Sequence, residues 1–452
     1  PCAALQVHLD LGTGEERAVR FFLGAAPDRS AAAATVRELR RDGAVEARLA
    51  EARARWDELL GATGVETPEP SLDLLLNRWA LYQAVSCRLW GRSALYQSSG
   101  AVGFRDQLQD VLALLGPAPA LTREQILEAA RHQFPEGDVL HWWHPPSNAG
   151  VRTRCSDDLL WLPYAAAEYV EATGDTGILD EEVPFLEGPE LEKGERERYD
   201  RWATGSERAS LYDHCVRALR RGMTSGPHGL PLMGTGDWND GMNRVGEQGR
   251  GESVWLGWFV HATAEGFAAV ARRKGREEDA RFLLEAAAEL RERIETFAWD
   301  GRWYLRATYD DGSPLGSAQN REARIDSIAQ SWAVLSGAAG EGRAEAAMEA
   351  AEELLIREED RLACLLGPPF DRGEQWPGYI RAYPPGVREN GGQYNHAAAW
   401  LALAYARLGR GGDAARVLGY VNPVTRTDDP RSVERYRVEP YAVAGDVSTR
   451  PP

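Results

Sequence analysis

The sequence predicts a mainly α-helical protein whose helices pair into hairpins arranged as a ring, an (α/α) toroid. Two observations carry this expectation. After about residue 65, ten segments repeat apolar residues at i, i+3 and i+4, the mark of helices with one buried stripe. Between them, short connections alternate with long ones rich in Gly, Pro, Trp and charge, at 96–104, 134–157, 223–252 and 368–395. Hairpins on a ring gather such connections on one face, and long loops in a compact domain are usually functional. No short repeat period stands out, which argues against a helical solenoid.

The elements follow in chain order. Residues 1–28 hold "LQVHLDL" and "RAVRFFLG", which alternate apolar and polar around "GTGEE" and predict two strands. Two strands make no stable sheet alone, so this segment reads as the end of a β-domain truncated at its front. Residues 29–64 predict a charged, Ala-rich linker helix interrupted at Gly43. Residues 65–452 form the helical domain, from "SLDLLLNRWALYQAVSCRLW" to "QYNHAAAWLALAYARLG", and several of its segments stop at Gly as helix C-caps do. "FAWDGRWYLRATYDDGSPLG" reads as a small hairpin inserted between helices.

Composition excludes several classes of function. The formal charge is −17, from 69 acidic and 52 basic side chains, so nucleic acid is not the expected partner. Nothing approaches 18 consecutive apolar residues, and no basic–apolar–small signal opens the chain. Five scattered cysteines without C-x-x-C suggest reduced thiols and a cytoplasmic location. There is no HExxH, so no metal is expected. The GxxxxGK[ST] phosphate loop and the GxSxG nucleophile elbow are both absent.

Fifteen Trp are many for this length, and Trp142, Trp143, Trp238 and Trp376 sit in polar loops. Such a Trp either covers a sugar ring or plugs the end of a helical layer. Four loops share one texture: "YQSSGAVGFRDQLQD", "HWWHPPSNAGVRTRCSDDLLW", "GTGDWNDGMN" and "YPPGVRENGGQYNHAAAW". Each sets acids or amides beside Arg or an aromatic on glycine-flexed backbone, and each runs into a helix. Sugars need this mixture, because carboxylates and amides grip hydroxyls, Arg orients, and aromatics cover ring faces.

These four stretches, in this order, resemble glycoside hydrolase family 94, the inverting phosphorylases of cellobiose, chitobiose and β-1,2-oligoglucans. The family includes the phosphorylase-like domain of cyclic β-1,2-glucan synthases. "GVRTRCSDDLLWLP" and "YRVEPYAVAGDV" look closer to the β-1,2-glucan branch. The resemblance spans roughly residues 65–447 and implies an (α/α)6 barrel behind a β-sandwich and a helical linker. It implies β-linked gluco-oligosaccharide and inorganic phosphate as substrates, α-glucose 1-phosphate as product, and no cofactor. Dimers are common in the family, through parts absent here, so a homodimer is an expected partner.

The resemblance also implies roles. Asp240, after Trp–Asn, is the general acid, and phosphate attacks the anomeric carbon from the opposite face. The acid must hold a proton near neutral pH, which apolar surroundings or a nearby like charge favour; Trp238 and Asp237 are expected to supply both. Phosphate is already an anion and replaces the second carboxylate of an inverting hydrolase, so it needs cationic grips. His396 is one expected phosphate contact, and Arg152 or Arg154 another. Glu389 and Asp157 or Asp158 are expected to hold sugar hydroxyls, with the "SDD" pair equally readable as a helix cap. Trp238 stacks or packs on the ring. Asp237, Arg105, Asp106 and Glu439 complete the expected substrate contacts, although Asp237 also reads as a turn residue and Arg105–Asp106 as a structural pair. In the family, chain beyond "AGDV" adds a phosphate-binding Thr, so the C-terminal part also reads as truncated. The competing readings are a glycosidase or transglycosylase on the same scaffold, and a non-catalytic glucan-binding fragment of a synthase.

Overall fold

The computed structural model describes residues 4–91 and 100–449. They fall into two compact units, Pro1–Leu59 and Leu60–Pro452. Residues 96–99 of the 96–104 loop, and Cys2, lie outside the described residues.

The first unit holds α1 (Arg29–Leu39), capped by the Asp28 side chain, and most of α2 (Ala44–Gly61). Gly43, at φ +76°, breaks the helix between them, at the interruption expected from the sequence. The two expected strands do not form: residues 4–28 are irregular chain with one turn, and Leu5, Val7, Leu9 and Phe21 stay exposed. The alternation is present, but among the described residues these pair with no strand, and an isolated strand pair is marginal in water.

The second unit is mainly helical. Its helices are α3 (Pro70–Leu76), α4 (Trp79–Gln83), α5 (Phe104–Asp110), α6 (Pro119–Ala130), α7 (Trp161–Thr173), α8 (Leu211–Gly222), α9 (Val254–Arg273), α10 (Glu277–Phe297), α11 (Ser327–Leu335), α12 (Arg343–Leu355), α13 (Asn395–Arg407), α14 (Gly411–Val421) and α15 (Pro430–Tyr436). Helix α5 packs on α7, α7 on α9, α9 on α11 and α11 on α13, while α10, α12 and α14 back their predecessors. The apolar stripes read from the sequence face these contacts.

The packed helices converge on an aromatic floor. Trp161 of α7, Trp255 of α9 and Trp332 of α11 all stack on or abut Trp400 of α13, with ring centroids 5.3–6.4 Å apart. Phe259 fills the gap, 4.4 Å from Trp161. Fully burying rings of this size is the largest apolar contribution a core residue makes.

The long loops carry short strands. Strands β1 (Val102–Gly103), β2 (Leu140–His144) and β3 (Ala149–Thr153) join β5 (Glu197–Arg201) in an antiparallel sheet of order β1-β2-β3-β5. Strands β4 (Glu182–Glu187) and β6 (Ala203–Ser210) form a second pair. The apolar spacing of "SERASLYDHCVRALRRGM" predicts a helix from Ser206; the chain instead stays extended to Ser210, whose hydroxyl then caps α8. Backbone pairing with β4 overrides helix propensity there. The expected inserted hairpin is present, with Ala307–Thr308 paired to Pro314–Leu315.

Candidate functional site

The stretch from Gly236 to Met242 is a tight loop whose two carboxylates have opposite fates. The Asp237 side chain points inward and is fully buried. It receives two hydrogen bonds of 2.6 Å from Arg306 and one of 2.6 Å from the Ser253 hydroxyl. Ser253 is also the N-cap of α9, so the loop and the helix start are fixed by one hydroxyl. Burial would raise the Asp237 pKa, but the Arg306 charge and these hydrogen bonds outweigh it and hold it below the usual carboxylate range. Asn239 then caps the single turn Asp240–Met242 by accepting from Gly241 N. That turn aims Asp240 outward, where its side chain is 40 % exposed.

Arg105, in the first turn of α5, ties three loops together. Its Nη1 donates to Asp157 Oδ1 and to the Asp237 carbonyl, both at 2.8 Å. Its Nη2 donates to Asp240 Oδ1 at 2.6 Å. Burial alone would lower the pKa of this guanidinium, but the surrounding carboxylates raise it well above its ordinary value. Asp157 also accepts from the Trp161 indole, and burial raises its pKa against the pull of Arg105. It sits behind Arg105 rather than in the open cleft.

His141 faces the other oxygen of Asp240. Its Nδ1 lies 2.7 Å from Asp158 Oδ2, and its Nε2 lies 3.8 Å from Asp240 Oδ2. Burial alone would lower its pKa, but the Asp158 charge and hydrogen bond, with the Asp240 charge, raise it to about 9. His141 is the extra residue at an irregularity in the β2–β3 register, between the Leu140–Arg152 and Trp142–Val151 pairs. Bulges of this kind re-aim side chains beside functional sites. His141 was not among the residues expected from the sequence; its nearest signal was its place in the quoted "HWWH". Asp158 lies one step back from the cleft, behind His141, and its Oδ1 accepts no hydrogen bond.

Around Asp240 the cleft is polar and aromatic. Of the residues the resemblance implied, Arg105, Asp106, Glu389 and His396 line it, together with Trp238. Trp142, Tyr379, Arg388 and Tyr394 line it as well. Of these only Trp142 had drawn notice from sequence, as a Trp in a polar loop. Glu389 is ion-paired with Arg388 at 3.3 Å. Trp238 packs edge-on against Tyr394 and leans on Trp400 of the aromatic floor. Its indole N–H donates to His396 Nδ1 at 3.2 Å, so the His396 proton resides on Nε2. Burial lowers the His396 pKa to about 4, which makes it a neutral donor rather than the cation expected.

Several expected contacts are not brought to this cleft. Arg152 is fully buried and held by Asp138 at 2.6 Å and Glu136 at 3.0 Å. Arg154 donates to the carbonyls of Leu191, Glu192 and Glu195 and lines a separate cavity with Arg220 and Arg221. Glu439 is exposed near the end of the described chain and does not line the cleft. Asp237 serves the scaffold. The expected environment of Asp240, apolar with a like charge beside it, is also corrected: Asp237 turns away, and Arg105 and His141 face Asp240 instead. Trp143 is buried core and Trp376 is exposed, so of the four polar-loop Trp only Trp142 and Trp238 line the cleft.

A ring nitrogen of His141, Cys155 Sγ and a carboxylate oxygen of Asp158 lie within 4.8 Å of one another, a spacing a cation could use. The Arg105 guanidinium, 3.6 Å from that sulfur, already places a permanent positive charge among these groups. The set therefore does not fit a divalent ion.

Comparisons with known proteins show the family. A sequence model described as "Glycosyl hydrolase 94 superfamily, catalytic domain" matches residues 55–452, and the chain belongs to that family. It is 48 % identical over 447 residues to the cyclic β-(1,2)-glucan synthase NdvB of Rhizobium meliloti (strain 1021), covering 99 % of this chain and 16 % of that protein. It is 31 % identical to the N,N'-diacetylchitobiose phosphorylase of Vibrio proteolyticus, covering 98 % of this chain and 55 % of that one. It is 30 % identical to the solabiose phosphorylase of Paenibacillus borealis, covering 96 % and 52 %. The chain thus spans about half the length of these phosphorylases and a sixth of the synthase. Among solved structures, a family 78 rhamnosidase of Bacillus sp. GL1 matches with a TM-score of 0.50 at 13 % identity, covering 86 % of this chain and 32 % of that one. That likeness concerns the fold alone. No helix among the described residues is long and apolar enough to cross a membrane.

Proposed function

We propose that this domain catalyses inverting phosphorolysis of β-linked gluco-oligosaccharides, β-1,2-linked by preference, with release of α-glucose 1-phosphate. Its helix pairs close as an (α/α)6 barrel around the cleft. Asp240 protonates the glycosidic oxygen. Glu389, Trp238, Arg105 and Asp106 hold the glucosyl ring, and inorganic phosphate enters against His396 and Arg388.

One observation carries the reading. Asp240 is the half-exposed acid at the end of a rigidly anchored loop, in a cleft that combines N–H donors with aromatic walls. A phosphate dianion needs such donors, whereas water would need a base. The neutral Nε2–H of His396 suits phosphate as a hydrogen-bond donor, and Arg388 supplies charge. The β-1,2 preference draws support from the relative named a cyclic β-(1,2)-glucan synthase, which is 48 % identical. A homodimer and a cytoplasmic setting accompany the proposal, with no cofactor beyond phosphate as co-substrate. The hydrolase reading keeps one specific support, since Glu389 lies in the same cleft and could serve as a base.

The test is to incubate the protein with sophorose, longer β-1,2-oligoglucans and cellobiose, each with and without phosphate, and to follow anomeric protons by NMR. α-Glucose 1-phosphate formed only with phosphate is the expected result. Free sugar released equally without phosphate would replace phosphorolysis by hydrolysis. Binding without turnover, unchanged in Asp240→Asn, would leave a glucan-binding domain.

A further inference from the structure

We infer that His141 is a positioning residue that keeps Asp240 supplied with its proton, completing a chain from Asp158 through His141 to Asp240. The inference rests on the reading of Asp240 as the general acid.

A general acid must be recharged, and the carboxyl of Asp240 has three close polar neighbours, one of them the Cys155 thiol, 4.0 Å from Oδ1, whose proton burial and the nearby carboxylates hold tightly by raising its pKa well above its ordinary value. Arg105 holds Oδ1 at 2.6 Å, but a guanidinium does not give up its proton in a protein. His141 faces Oδ2 from 3.8 Å through Nε2. This is longer than a hydrogen bond, as acid–base pairs often are before substrate arrives. Asp158 accepts the Nδ1–H hydrogen bond at 2.7 Å, which orients the ring with Nε2 on the Asp240 side. The register irregularity at His141 in β2 is what turns this side chain toward the cleft.

The charges around the ring all bear on the proton. Asp158 and Asp240 favour the imidazolium, and Arg105 opposes it. Asp106, Arg388 and Glu389 line the same cleft, with the phenols Tyr379 and Tyr394. The balance leaves His141 charged at neutral pH, with its titration near 9.

The step balances as follows. The glycosidic oxygen, which becomes more basic than imidazole as its bond to C1 breaks, draws the proton: the His141 Nε2–H bond breaks, its electron pair stays on nitrogen, and an O–H bond forms transiently at Asp240 Oδ2. That O–H bond then breaks as the glycosidic oxygen takes the proton, together with the electron pair of its bond to C1. A phosphate oxygen forms the new bond to C1. The neutral imidazole, still donating from Nδ1 to Asp158, regains a proton from water or from the acidic phosphate ester.

Two measurements test this. The first compares an unactivated disaccharide with β-glucosyl fluoride, whose leaving group needs no proton, in wild type, Asp240→Asn and His141→Asn. His141→Asn is expected to lose roughly 100-fold more with the disaccharide than with the fluoride, the scale of lost proton transfer. Equal losses on both substrates would make His141 merely structural and overturn the inference. If Asp240→Asn itself loses both equally, the acid assignment falls, and the inference with it. The second measurement needs no turnover: ¹⁵N NMR of the His141 ring through a pH titration. The expected result is an imidazolium at pH 7 whose pKa drops in Asp240→Asn. A neutral His141 at pH 7, or a titration indifferent to Asp240, overturns the inference even where no substrate is consumed.

Discussion

The indole N–H of Trp238 and Nδ1 of His396 meet at 3.2 Å, and this contact sets the tautomer of the histidine nearest the proposed phosphate site. Trp238→Phe removes the donor and leaves the ring able to place its proton on either nitrogen. A rise of about tenfold in the phosphate KM is expected, with the sugar KM less affected, on the scale of one lost hydrogen bond. Steady-state kinetics with phosphate varied checks it.

The same histidine has a signature in acid. Its folded pKa, about 4, lies below the unfolded value of about 6.5. Between these values the unfolded chain takes a proton that the folded chain refuses. Stability from this group is therefore complete above pH 6.5 and falls as pH drops toward 4. His141 acts with the opposite sign: its folded pKa of about 9 gives stability that is complete below pH 6.5 and lost as pH rises through 9. Urea melts of wild type and Asp158→Asn across pH 6–10 should show the alkaline loss in wild type and a smaller one in the variant.

Asp237 and Asp240, three residues apart, should separate stability from turnover. Asp237→Asn leaves the fully buried Arg306 charge with only Asp326, at 3.3 Å, and is expected to cost about 3–5 kcal/mol in denaturant unfolding. Asp240→Asn removes a half-exposed carboxyl and is expected to change stability by about 1 kcal/mol or less. Its disaccharide turnover should fall by about 10²-fold or more.

Gly241 follows the acid directly, and a Cβ there would lie 2.7 Å from Ile380 Cβ and 3.0 Å from its Cα. Backbone cannot yield as a side-chain tip can, so Gly241→Ala must shift the Asp240 turn. A fall in kcat of about 10–100-fold is expected, because misplacement by about 1 Å is enough for that. The melting temperature and kcat of this variant, measured together, distinguish a moved turn from a lost fold.

Arg152 tests a sequence expectation against the fold. Its guanidinium is fully buried on Asp138 and Glu136, so Arg152→Met should cost about 3 kcal/mol or more by stranding those carboxylates. The phosphate KM of the folded fraction should not change. A selective rise in that KM would return Arg152 to phosphate binding.

Much of this site was legible in the chain. The helices of the second unit were announced by their apolar spacing, because a helix buries one stripe and the stripe is written at i, i+3 and i+4. The loops that line the cleft were announced by their mixture of Gly, acid, amide and aromatic. Residues 4–28 show the limit, since alternation describes a strand only where a partner strand exists. Arg306 and His141 show another. One lies in an unremarkable "LRAT" and the other in a loop rich in His and Trp, and neither gains meaning until it is set against a carboxylate far away in sequence.

The sequence by itself determined the family, the helical class and the small set of loops from which the site is drawn, because these depend on periodicity and on residue types along the chain. Only the tertiary structure decided which carboxylate faces solvent and which is locked to Arg306, that Arg152 and Arg154 serve the scaffold, and that His396 is neutral. Those outcomes depend on burial and on which charge stands within about 4 Å, and both are fixed by partners from 14 to 158 positions away that packing brings together.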